Sequence, residues 1–436
     1  MKLKNIYEDL VNKKLFVLGA TRQHSEIVKE AQSLGIKTYV ADYYENSPAK
    51  KLADKSFLVS AIDVEKLIDI CKEENIDGVF TGYNDMLLPY NQEICSILDK
   101  PFCGNRENIN TCIDKELFKK ACVKSGVPIV PWFSVNKENY LEKIKEIEPP
   151  VVVKPADYSG SKGVYKCFKK EDLKTYVEEA FTYSKAGKVL IEKLMEVDKE
   201  FSVYYMIYNG VAYLSAMGDR YVKVTDPNIA PSGLGMLYPS IYLDEWIESM
   251  DGHVRKFISD NDMKNGFVFF QGFYDNGKFY IHETGYRLNG GYTYEIIEHF
   301  SGYNQMHQLI KYSLTGEMNV ELLEKSNPYF DGFGMIVTIS LKNGKISHID
   351  GIEEIEKNSG LLKFNLLHGL RDEINVRGTS EQVLAYVLCA TENKEKLDEV
   401  INLIREKLVV LDENGENMIM EIINPMKLKI KEKING

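Results

Sequence analysis

Residues 14–20 (KLFVLGA) form an apolar run that breaks at Gly19, and from Gln23 onward the apolar positions 27, 28, 31 and 34 recur at helical spacing until Gly35. This predicts a strand, a turn and a helix. Residues 38–42 then read as a second strand, 64–71 as a helix, 78–81 as a strand and 88–98 as another helix. Strands that alternate with helices predict a parallel, doubly wound α/β sheet. Its ligand crevice would lie at the carboxyl ends of the strands, near residues 19–22, Asp42 and residues 81–85. The basic first residues, 1–14, read as a short leading helix, because they lack the apolar segment of a secretory signal.

The pattern changes near residue 113. A helix over 114–125 stops at Gly126, and Pro128 and Pro131 keep a helix from resuming. Strand-like runs follow at 151–154, 189–192, 201–208, 211–216, 266–274 and 278–284, with helices near 171–181, 245–260 and 294–315. That region is α+β, with mostly antiparallel strands. Beyond it, 332–341 and 345–349 read as a hairpin around Asn343-Gly344, 383–390 as a strand and 393–407 as a helix. No internal repeat or low-complexity tract breaks the chain.

The 436 residues suffice for about three domains of roughly 150 residues and for a concave site between them. Lys plus Arg is 54 against 65 Asp plus Glu, so the net charge of −11 argues against nucleic acid or anionic lipid as a partner. Any anion must be held locally. No apolar run is long enough to span a membrane. The seven cysteines, at 71, 95, 103, 112, 122, 167 and 389, are odd in number and form no C-x-x-C pair, which points to a reducing, cytoplasmic setting. After Gly19 the sequence Ala-Thr-Arg-Gln-His lacks the further glycines of a dinucleotide fingerprint.

Four segments carry candidate chemistry. A strand at 151–155 delivers Lys154 to a Gly/Ser-rich loop, 157–164, where Ser159, Gly160, Ser161 and Gly163 let backbone N–H groups approach a phosphate. Taken alone, the same segment reads equally well as a flexible hairpin beside a surface lysine, and it is not a Walker loop. A second strand ends in Glu192-Lys193-Leu194, with Glu200 following. Its backbone can meet a purine edge and its carboxylates can take amino or ribose hydrogens, although the charges of an ordinary hairpin look the same. The third segment sets Gln271 and Glu283 inside an aromatic-rich hairpin, where an unpartnered amide or carboxylate is costly. Oxygen ligands of this kind suit Mg²⁺ held jointly with nucleotide phosphates. The fourth is Asp114-Lys115, whose lysine can reach back to phosphates or simply be solvated.

Register sharpens the third segment. A two-residue Asn276-Gly277 turn would pair Asp275 with Lys278 and set Gln271 against His282, on the face away from Glu283. A three-residue loop, 275–277, with Gly277 left-handed, instead sets Gln271 opposite Ile281 and makes Glu283 its diagonal neighbour. The three-residue loop is the expectation. Glu283, Gly285 and Arg287 then share a face, and Arg287 can reach a transferred phosphoryl group.

In this order the four segments, with Arg287 and the following Gly290-Gly291, resemble the ATP-grasp superfamily over nearly the whole chain. The N-terminal part looks like that of carbamoyl-phosphate synthase large chains, biotin carboxylases and PurK, and the tail like that of biotin carboxylases and L-amino acid ligases. The resemblance implies an N-terminal domain over 1–112, a lid subdomain over 113–200, a large subdomain with the metal site over 201–330 and a C-terminal lobe over 331–436. It implies Lys115 and Lys154 on the nucleotide phosphates under the loop of Ser159, Gly160, Ser161 and Gly163, with Glu192, Lys193 and Leu194 at the adenine and Glu200 at the ribose. Gln271, Glu283 and Asn289 would hold Mg²⁺ or Mn²⁺, and Arg287 would stabilise an acyl phosphate. Gly285 departs from the usual Asn there, which puts a third ligand at that position in doubt. Within the ligase reading an insertion over 219–240 would select the substrate, with Arg220 and Lys223 holding a carboxylate, although the two read equally as surface charges.

The implied activity is an ATP-dependent carboxylate-amine ligase that works through an acyl phosphate, with small-molecule substrates and a homodimer as the family's mild preference. Two alternatives stay open: activation of bicarbonate, as in carboxylases, and nucleotide binding without turnover.

Overall fold

The computed structural model describes residues 6–158, 163–195, 200–223, 232–375 and 380–430. Four short strands, β1 (Lys14–Leu18), β2 (Lys37–Ala41), β3 (Lys55–Phe57) and β4 (Gly78–Phe80), pair in parallel in the order β3-β2-β1-β4, the inner ones apolar. Leu15 and Val17 pack with Ile27 and Val28 of the helix Arg22–Ser33, while Phe16 and Leu18 pack with Leu67, Ile70 and Ile94 of the helices Val64–Glu73 and Leu88–Ile97. Both faces are covered, which is why the strands lack polar alternation. The doubly wound reading therefore holds. Most of the expected leading helix lies outside the described residues; of what is described, Ile6 is helical and Glu8–Leu10 is a 3-10 turn.

Two antiparallel sheets follow. β5 (Trp132–Asn136), β6 (Val151–Pro155), β7 (Tyr165–Cys167) and β8 (Lys188–Lys193) form a small sheet in the order β5-β8-β6-β7, backed by Leu173, Val177 and Ala180 of the helix Lys170–Tyr183. The larger sheet draws on β9 (Glu200–Tyr208), β10 (Val211–Lys223), β11 (Ser232–Tyr238), β12 (Gly266–Asp275), β13 (Lys278–Gly285) and β14 (Phe333–Ser340). After β15 (Gly344–Asp350) come β16 (Leu361–Leu366), β17 (Glu373–Ile374), β18 (Val383–Thr391) and β19 (Val409–Asp412). Eight of these strands make one sheet, β13-β12-β9-β10-β11-β14-β18-β16, so the last third of the chain continues the central sheet.

The expected hairpin around Asn343-Gly344 is absent. β14 is paired on both sides by the apolar strands β11 and β18, whereas the mostly exposed β15 joins β17 and β19 in a separate sheet. The helix expected over 245–260 is two, Leu243–Ser249 and Asp251–Asp260. That over 294–315 is also two, because Gly302 ends Thr293–Ser301 at φ 72° and Asn304 caps Gln305–Thr315 through its side chain. The latter helix is buried from Gln305 through Leu314 as it passes under the N-terminal sheet. A Cβ on Gly78 would come within 2.1 Å of the Ser313 carbonyl oxygen, so the strand and helix meet backbone to backbone. The helix Arg106–Ile113, with its Asn105/Asn108 capping box, was not expected.

Candidate functional site

The small sheet and the large one enclose a cavity of about 550 Å³. Its wall brings together Lys115, Lys154, Glu192, Lys193, Leu194, Glu200, Arg220, Gln271, Glu283, Arg287 and Asn289, residues the sequence placed in separate segments. Gly163, at φ 74°, is not on this wall, and a Cβ there would strike the Tyr183 ring at 2.7 Å. Lys223 is also absent from the wall: its ammonium pairs with Glu421 of the C-terminal region at 2.5 Å. Ser159, Gly160 and Ser161, and residues 224–231 of the insertion, lie outside the described residues.

Asp114 caps the helix Lys115–Ser125 by accepting from the Glu116 and Leu117 amides, which points Lys115 into the cavity. The Lys115 ammonium donates to the Tyr158 carbonyl at 2.5 Å, and burial lowers its pKa against the pull of Glu283. One helical turn on, the fully buried Lys119 sits 2.9 Å from Glu192, whose other oxygen is 2.8 Å from Lys154. Burial alone would raise the Glu192 pKa, but the two lysines hold it down to about 2. Glu192, expected at the adenine edge, thus spends its side chain joining two cations. Arg220 pairs with Glu200 directly across the strands β9 and β10, so these two expected ligand contacts neutralise each other.

The β12-β13 hairpin differs from expectation in its means. Asp275 pairs with Lys278 around a two-residue Asn276-Gly277 turn, with φ 49° and 74°, rather than a three-residue loop. The register is corrected farther along. Between the Gly272–Ile281 and Gln271–Glu283 pairs, His282 is left unpaired as a β-bulge, and Gln271 comes to face Glu283 directly. Gln271 donates to Ser202 Oγ at 3.1 Å, and Asn289 donates to Thr293 Oγ1 at 2.8 Å, so each amide's NH2 group is engaged beside the cavity. A Cβ on Gly285 would lie 2.5 Å from the Phe269 ring, so a side chain, and with it a side-chain ligand, is accommodated there only if that ring shifts.

Arg287 lies 5.3 Å over that same ring and pairs with Asp85 at 2.6 Å, which brings the carboxyl-end crevice of the first sheet to the cavity. Gln23 of the same crevice donates to the Gly290 carbonyl. Tyr204, Tyr238, Thr338, Ser340, Gln382 and Tyr386 line the end toward the C-terminal strands. Lys119, His282 and this hydroxyl-rich wall had escaped the sequence reading. Lys119 was signalled by its position four residues after Lys115, on the same helix face. Burial, with Lys154 next, pushes the His282 pKa down to about 3.

Residues 15–94 match the PylC-like, N-terminal domain family and residues 122–221 the D-ala D-ala ligase C-terminus family. The formate-dependent phosphoribosylglycinamide formyltransferase of Sulfurisphaera tokodaii is 30% identical over 199 residues, 44% of this chain and 49% of that protein. The chain spans about half the length of the curated relatives it matches. Over more than nine-tenths of its length it is similar to solved structures. The L-amino acid ligase of Bacillus licheniformis superposes with a TM-score of 0.76 at 18% identity, covering 93% of this chain and 100% of that one. The biotin carboxylase domain of Hydrogenobacter thermophilus 2-oxoglutarate carboxylase, solved with MgADP, ADP and bicarbonate, gives 0.75 at 18% identity, covering 94% and 92%. The chain has an ATP-grasp fold. Among the described residues no helix is long and apolar enough to cross a membrane.

Proposed function

We propose that the chain is an ATP-dependent carboxylate-amine ligase that forms an amide or peptide bond through an acyl phosphate. A carboxylate oxygen of one substrate attacks the γ-phosphorus, the bond to the β-phosphate bridging oxygen breaks, and ADP leaves. The amine of the second substrate then attacks the acyl carbon, losing a proton as phosphate departs. No protein nucleophile is needed, so catalysis consists of positioning and charge neutralisation. The observation that supports this reading is the convergence of Lys115, Lys154, Gln271, Glu283 and Arg287 on one cavity between the lid and the large sheet.

In this reading Lys115 and Lys154 bind the phosphates, Lys193 and Leu194 border the base and Glu200 the ribose, and the loop at 157–164 covers them. Arg287, held by Asp85, faces the transferred phosphoryl group. Glu283 with the amide oxygens of Gln271 and Asn289 would hold Mg²⁺ or Mn²⁺. One carboxylate and two neutral oxygens suit a cation that takes its other ligands from phosphates and water. Among the described residues no group of three or more His, Cys, Asp or Glu side chains could bind a metal unaided, so metal and nucleotide would be taken together. The metal would supply charge neutralisation on the phosphates. Arg220, freed from Glu200, would meet the substrate carboxylate. The units 1–112, 113–200, 201–330 and 331–436 would be the N-terminal domain, lid, large subdomain and C-terminal lobe.

The test is phosphate release from Mg-ATP with pooled carboxylates, including amino acids and formate, and pooled amines. Release that requires both pools supports the ligase. Release stimulated by bicarbonate alone would favour the carboxylase reading, and nucleotide binding without release would favour a non-catalytic role. Glu283→Gln should lower kcat by at least about 100-fold at unchanged melting temperature.

A further inference from the structure

The bulge in β13 puts two successive side chains into the cavity, and the ligase reading uses only Glu283. In a regular strand His282 would face the opposite way. Left unpaired between the Gly272–Ile281 and Gln271–Glu283 pairs, it instead lines the same wall. Its ring rests on Phe273 with centroids 4.9 Å apart. The charged groups nearby are already engaged: Glu192 with Lys119 and Lys154, Glu200 with Arg220. Among the described residues the imidazole has no hydrogen-bond partner. An imidazole carries a ring nitrogen that accepts and an N–H that donates, and a molecule that displaces water from this wall must meet them.

The phosphates are spoken for by Lys115 and Lys154, whereas His282 has the aromatic face of Phe273 beside it, and Leu194 lines the same cavity. That combination suits a flat, hydrogen-bonding nucleoside. We propose that His282 is a specificity-determining residue that hydrogen-bonds the nucleoside of the bound nucleotide, at the base or the ribose. The proposal rests on the nucleotide reading above.

The test is calorimetric titration of the full chain with Mg²⁺ and four ligands: a non-hydrolysable ATP analogue, its 2′-deoxy form, its inosine form and inorganic tripolyphosphate. His282→Leu should bind the ATP analogue about tenfold more weakly, the equivalent of one lost hydrogen bond, while tripolyphosphate affinity stays within about twofold. The wild type should discriminate against one altered nucleoside, and His282→Leu should lose that preference. The deoxy arm reports the ribose, and the inosine arm the base. His282→Gln, which keeps a donor and an acceptor, should recover part of the loss and serves as the folded control. Unchanged affinities and ratios in His282→Leu, or equal weakening of the nucleotide and tripolyphosphate, would overturn the inference and leave the ligase reading standing. A wild-type chain that binds tripolyphosphate no worse than the ATP analogue would also overturn it. Failure of the wild type to bind any nucleotide would overturn both.

Discussion

Glu192 lies 2.9 Å from Lys119 and 2.8 Å from Lys154, so two cations and one anion leave water together with one positive charge in excess. A phosphate arriving at Lys154 would balance that excess. Glu192→Gln should therefore cost on the order of 3 kcal/mol of stability, and saturating Mg-ATP should recover part of it; thermal unfolding with and without nucleotide measures both. The folded pKa, about 2, lies below that of a free carboxylate. Its stabilisation is thus present above the unfolded value and is lost only as pH falls through about 2. Asp219, next to Arg220, has the opposite sign: burial pushes it up to about 6, against hydrogen bonds from Ser240 and the Ile241 amide. The folded state keeps a proton that the unfolded state loses near pH 4, so this group's contribution falls as pH rises from about 4 to about 6, by about 3 kcal/mol. Asp219→Asn should flatten that slope in urea unfolding across the same range. None of these shifts was legible in the sequence, because each depends on neighbours far along the chain.

The elements were easier to read than their partners. Each of β1, β2 and β4 carries an apolar run long enough to announce itself, and Asp114 and Gly126 bracket their helix with a cap and a stop. The β12-β13 hairpin shows where such reading fails. Facing Gln271 with Glu283 requires one extra residue somewhere, and turn chemistry alone cannot say whether it falls at the tip or in the strand. The Asn-Gly pair favours a two-residue turn strongly enough to push the extra residue to His282. Two glycines of the hairpin should then behave differently. Gly277→Ala should cost about 1 kcal/mol from its left-handed backbone, with KM for ATP unchanged, since a Cβ there meets nothing within 4 Å. Gly285→Ala should lose stability and activity together, because its Cβ would force aside the Phe269 ring beneath Arg287. Stability curves and initial rates on the two variants separate these outcomes.

At the scale of the whole molecule, three distant stretches of chain meet around charges. Lys363 bonds Glu26 of the first helix at 2.9 Å and Glu295 at 2.7 Å, and Arg22 pairs with Asp372. Lys363→Met should destabilise the protein by about 2 kcal/mol and raise its susceptibility to limited proteolysis, while Lys363→Arg should not. The net charge could not have revealed these contacts, since −11 describes the sum and not its placement. The linker from the helix Lys115–Ser125 runs to β5 of the small sheet. At the outer edge of the large sheet the Ile281 amide donates to the Pro128 carbonyl, and the Val130 amide donates to the Ile281 carbonyl. The segment that leads into the small sheet is thereby sewn to β13 two residues from Glu283, and the same stitches blunt an edge that would otherwise be open to a strand from another chain.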